Sequence, residues 1–123
     1  MRTLLLALIL ATSSASADLL SRFEYVADDV NHWQTAEETI ARGYKGACED
    51  YALLLKADLI AKGADSVEIK IVQGNLAGYG GHMVLSYDGI YYDTFGERAE
   101  YPEFTAMFTW SPVMVTAMLE QSK

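Results

Sequence analysis

The chain has 123 residues, 17 acidic against 9 basic, and a formal net charge of −8. That length gives one small domain with one core, and the acidic balance argues against nucleic acid and anionic membranes as partners. A single cysteine, Cys48, excludes an internal disulfide, so the core alone must hold the fold.

The N-terminus is predicted to be an export signal. Arg2 precedes the apolar run Leu4 to Leu10, which is short for a membrane span, and Ala15-Ser16-Ala17 supplies small residues for cleavage. Residues 1–17 are therefore expected to be removed, leaving Asp18–Lys123 as one domain with 8 basic and 17 acidic residues, net −9. No second apolar span follows, so stable membrane insertion after cleavage is not expected.

Apolar residues at Leu19, Leu20, Phe23, Val26, Ala27 and Val30 predict a helix from Asp18 to Val30. Asn31 to Gln34 reads as a connection. Thr35 and Glu38 have capping-box spacing before a short helix over 36–42, which stops at Gly43. Gly43 to Gly46 is a glycine-bounded turn. The best-defined helix runs from about Ala47 to Ala61 and stops at Lys62-Gly63, with Glu49 and Asp50 suited to its N-terminal dipole.

The period then changes to two. Val67, Ile69 and Ile71 predict a strand, Gly74 to Gly81 a loop, and His82 to Tyr87 another strand. Asp88-Gly89 is a hairpin signal, with Ile90 to Phe95 as the second arm. A charged loop runs through Glu103. Ala106 to Trp110 reads as a strand, and Ser111-Pro112 opens a C-terminal helix. Helices followed by antiparallel strands imply an α+β fold.

The hairpin carries a consequence for chemistry. A two-residue turn at Asp88-Gly89 pairs Tyr87 with Ile90 and Leu85 with Tyr92. His82 and Asp93 then share one sheet face as diagonal neighbours, within side-chain reach. An imidazole oriented by a carboxylate is the base that a thiol nucleophile needs, and Cys48 stands at a helix start, where a thiolate is favoured. The Cys48 N–H could contribute to an oxyanion hole, with a second donor from Asn31 to Gln34. His32 is expected in a loop, and Trp33, Trp110, Tyr91 and Tyr92 in the core. The glycine loop has no following lysine or helix, so it is no phosphate cradle. No cluster has zinc spacing.

Trp33-Gln34-Thr35, Cys48-Glu49-Asp50-Tyr51-Ala52 with Lys56, Leu59 and Gly63, then Gly80-Gly81-His82-Met83-Val84-Leu85 and Tyr92-Asp93 carry a family likeness. Across these residues the chain resembles the bacterial transglutaminase-like cysteine proteinases, including periplasmic proteases that release biofilm adhesins. The resemblance implies a papain-like α+β core whose nucleophile helix packs on a small antiparallel sheet. It implies a cysteine peptidase with a Cys48-His82-Asp93 triad, a protein or peptide substrate, and a periplasmic or secreted location. Several members bind calcium through acidic residues flanking the cysteine. Glu49 and Asp50 match two of those positions, but Ala47 stands where aspartate is common and offers no oxygen ligand, so no cofactor is expected as a requirement. Acyl transfer to an amine through the same triad is an alternative, and a non-catalytic binding module that keeps the fold is another.

Overall fold

Backbone hydrogen bonding, more than side-chain periodicity, decides where the first element ends. The computed structural model of the protein describes residues 18–27 and 32–123; the expected export signal lies outside the described residues. Residues 18–22 are helical (α1), with an Arg22–Asp18 ion pair on the surface. The helix predicted to reach Val30 ends there. Glu24–Tyr25 instead forms β1, parallel to β2 at Lys45–Gly46. The Glu24 N–H reaches Tyr44 O and the Val26 N–H reaches Gly46 O. These ladder bonds override an apolar spacing that suits either conformation at this length. The rest of the predicted helix, from Asp28 on, lies outside the described residues.

The second helix, α2 (Ala36–Ala41), starts on the expected capping box. Thr35 Oγ1 accepts the Glu38 N–H, and Glu38 Oε1 accepts the Thr35 N–H. Gly43 and Tyr44 then take left-handed backbone, φ 78° and 63°, which reverses the chain into β2. The long helix α3 (Cys48–Ala61) follows as predicted. Ala47 has no side chain with which to cap it. Asp50, in the first turn, reaches back to accept the Ala47 N–H.

The sheet has five antiparallel strands in the order β6-β5-β4-β3-β7: β3 (Lys70–Leu76), β4 (Gly80–Tyr87), β5 (Ile90–Asp93), β6 (Gly96–Arg98) and β7 (Phe104–Trp110). β5 ends at Asp93, short of the expected Phe95, and β7 begins at Phe104, before the expected Ala106; three further stretches differ more. Residues Ser66–Glu68 form a 3₁₀ turn capped by Asp65, and Val67 is exposed, so the strand begins only at Lys70. The predicted glycine loop 74–81 is mostly strand, reversing at residues 77–79. Gly74 sits at a bulge against β7, where an added Cβ would lie 2.2 Å from Thr105 O and 2.6 Å from the Phe104 ring. The charged loop contains β6, because Gly96 (φ 127°) pairs back onto Asp93 after a two-residue turn.

The Asp88-Gly89 hairpin has the expected register, Tyr87 opposite Ile90 and Leu85 opposite Tyr92. Both turn residues have positive φ, 52° and 77°, which matches the twist of the strands. Tyr51, Leu54, Leu55 and Leu59 of α3 pack on Leu85 and Tyr92 on one face of the sheet. Val84 packs with Tyr101 and Phe104 on the other. A third cluster joins Trp33, Ala52, Ile71, Met83 and Val115 of the C-terminal helix α4 (Pro112–Gln121), with Cys48 and Trp110 against it. Ser111 caps α4 through the Met114 N–H. Among the described residues no helix is long and apolar enough to cross a membrane.

Candidate active site

Strand alternation puts His82 on the same face as Val84, beside Tyr101 and Phe104. The hairpin register brings Asp93 to that face from β5. The two side chains meet: His82 Nε2 lies 2.8 Å from Asp93 Oδ2, and both residues are buried. The other ring nitrogen, Nδ1, is buried with no hydrogen-bond partner. The structure therefore joins His82 to Asp93, while the Cys48 thiol bonds to Glu49 and not to the ring.

Asp93 is fully engaged. Its Oδ2 also accepts the Tyr101 hydroxyl at 2.6 Å, and its Oδ1 accepts the Phe95 N–H at 2.9 Å. Burial pushes the Asp93 carboxyl up, but the bonds from His82, Tyr101 and Phe95 prevail and hold it below the usual carboxylate range. Tyr101 responds in the opposite sense: burial first, then its bond to Asp93, pushes its hydroxyl well above the ordinary phenol range. The sequence reading missed Tyr101. It lies eight residues past Asp93, in a stretch read as a charged loop, and no spacing rule links the two. Arg98 covers its ring, 4.5 Å from the centroid.

Cys48 opens α3 and approaches β4 from the helix end. Only Leu85, Ser86 and Tyr87 of β4 pair with β5, so the Met83 N–H is left to reach the Cys48 sulfur, one residue past His82. The thiol is half-buried and donates toward Glu49 Oε2 at 3.5 Å. Its acidity differs from the expectation that a helix start would favour the thiolate. Burial, then the Glu49 carboxylate, pushes the thiol up to about 12, against smaller opposing help from the Met83 and Glu49 N–H groups. Cys48 is therefore a neutral thiol at pH 7.

Glu49 and Asp50 part ways. Glu49 faces the sulfur. Asp50 accepts the Gln34 N–H at 2.8 Å on Oδ1 and the Ala47 N–H at 2.9 Å on Oδ2, fixing the start of α3. Gly46 passes so close that an added Cβ would lie 2.6 Å from Asp50. The Gln34 side chain spends both its amide hydrogens on Thr39 Oγ1 and Lys45 O, so it is not the second oxyanion donor. Trp33 is core, edge-on to Trp110 at 4.8 Å. Among the described residues no three of histidine, cysteine, aspartate and glutamate converge to hold a metal ion.

No protein-family profile matches the chain, and comparison with curated proteins finds no match. Solved structures of Legionella pneumophila LapG do match. One is 19% identical, with a TM-score of 0.76 over 94% of this chain and 79% of that chain. A calcium-bound form is 18% identical, with a TM-score of 0.74 over 93% and 80%. An EGTA-treated form is 18% identical, with a TM-score of 0.71 over 93% and 78%. At such identity the likeness speaks for architecture: the chain has a mixed helix and antiparallel-sheet fold of the transglutaminase-like type.

Proposed function

We propose that this chain is an exported thiol hydrolase, a cysteine peptidase acting on protein or peptide substrates in the periplasm or outside the cell. Cys48 is the nucleophile, His82 the base and acid, Asp93 the group that orients the ring, and Tyr101 a positioning residue behind Asp93. The carrying observation is the buried His82 ring, held by Asp93 at Nε2 and unpartnered at Nδ1. The place of Cys48 beside Met83 supports it, as does the fold shared with LapG.

In this mechanism His82 Nδ1 takes the Cys48 proton as sulfur attacks the substrate carbonyl carbon. Because the resting sulfur is a thiol, proton transfer and attack are coupled. The imidazolium is stabilised by Asp93, whose carboxylate keeps its charge through its three donors. The C–N bond breaks as His82 gives the proton to the amine; water, deprotonated by His82, then attacks the thioester, the C–S bond breaks to release the acid, and His82 returns that proton to the Cys48 sulfur. Asp50 is engaged by two backbone N–H groups and Ala47 offers no side-chain oxygen, so no step is routed through calcium.

Cys48→Ser and Cys48→Ala are expected to abolish peptide hydrolysis while keeping the fold, as judged by circular dichroism. Turnover equal to that of the parent in either variant would end the proposal.

A further inference from the structure

Two exposed aromatic rings against His82, and a third bonded to one of them, do more than fill space. The Phe95 ring stacks over the imidazole, 5.5 Å between centroids at 29°. The Tyr79 ring stands edge-on to both, 5.3 Å from His82 and 5.4 Å from Phe95. His82 itself is 0% exposed, yet Tyr79 and Phe95 are 46% and 51% exposed. Each ring therefore shields the histidine on one side and meets water on the other. Tyr25, 46% exposed, accepts a hydrogen bond from the Tyr79 hydroxyl at 3.2 Å. The patch thus runs from Phe95 over the imidazole, through Tyr79, to Tyr25.

We propose that Tyr25, Tyr79 and Phe95 form the wall of a substrate subsite for a large apolar side chain, aromatic or branched aliphatic, next to the bond presented to Cys48. The proposal rests on the thiol-hydrolase reading. Single exposed apolar residues are ordinary, but contiguous rings against a candidate base are an interaction surface. One residue of extended chain spans about 3.5 Å, so a side chain flanking the scissile carbonyl reaches rings that touch His82. The carboxylates of Glu49 and Asp93 close by disfavour an acidic side chain in the same place.

The test compares alkylation of Cys48 by N-acetyl-phenylalanyl chloromethyl ketone and by its glycyl counterpart, followed by mass spectrometry. Each rate is divided by that of the same protein with iodoacetamide. The phenylalanyl reagent is expected to react at least about 10-fold faster than the glycyl one, the value of one buried apolar side chain. In Tyr79→Ala and Phe95→Ala the ratio falls to within about 2-fold. Phe95→Leu, which keeps an apolar cover over His82, retains an intermediate ratio and serves if the alanine variant does not fold. A ratio near one in the parent, or a ratio unchanged in the variants, overturns the subsite and leaves the nucleophile standing. A Cys48 that resists all three reagents when folded, yet reacts after denaturation, overturns both.

Discussion

Glu49 and Asp50 are adjacent acids at one helix start, yet they do opposite things. Asp50 is an anchor: it ties the ends of two connections, at Gln34 and Ala47, to the first turn of α3. Glu49 accepts the thiol proton at 3.5 Å and, after burial, is the next cause that pushes the thiol pKa up. Replacing that carboxylate by a neutral amide is expected to lower the thiol from about 12 towards its ordinary value. Glu49→Gln should therefore raise the rate of iodoacetamide alkylation at pH 8 by at least about five-fold. Rates equal to the parent would show that burial alone sets the thiol. Tyr101 is the other lesson at this scale. After the bond from His82, the bond from its hydroxyl helps to hold the buried Asp93 carboxyl below the usual carboxylate range.

At the level of elements, the positions of His82 and Asp93 were legible because a hairpin obeys simple arithmetic. Asp88-Gly89 fixed the turn, the turn fixed the register, and period-two alternation fixed the face. α2 and α4 were legible from their caps, Thr35 with Glu38 and Ser111 with Pro112. α1 was misread because its apolar spacing continues past the residue where β2 captures the backbone, and that partner lies some twenty residues away. The glycine stretch was misread because Gly74 permits a close approach of β7 that no local rule reveals. Tyr101 and the donors to Asp50 are likewise tertiary facts. The close approach is testable. Gly74→Ala should cost about 3 kcal/mol, a fall in melting temperature of roughly 10 °C or more, because Thr105 O and the Phe104 ring must move. Gly81→Ala, whose added Cβ meets nothing within 4 Å, is the control and should cost less than about 1 kcal/mol. Equal melting temperatures for the two variants would contradict the packing described.

For the whole molecule, a core divided among three clusters and no internal disulfide make stability sensitive to the charge state of its buried groups. Asp93 ionises more readily when folded than when unfolded. Its contribution is thus full above the unfolded value of about 3.9 and is lost as pH falls through the lower folded value. Urea midpoints measured from pH 7 down to pH 3 should drop more steeply for the parent than for Asp93→Asn below about pH 4. Parallel curves would mean that the His82–Asp93 bond adds nothing to folding. The sheet order also shapes the candidate site: β4 runs past the end of β5, leaving its main chain open at the point where α3 brings Cys48.

Acylation of Cys48 by a p-nitrophenyl ester, read as a covalent adduct by intact-protein mass spectrometry, tests the catalytic assignment most directly. The parent should form a thioester on Cys48 that water then clears, and His82→Ala should form it about 10²–10⁴-fold more slowly, the usual worth of a positioned general base. An adduct that forms at the same rate without the imidazole, or that forms on another residue, would contradict the triad.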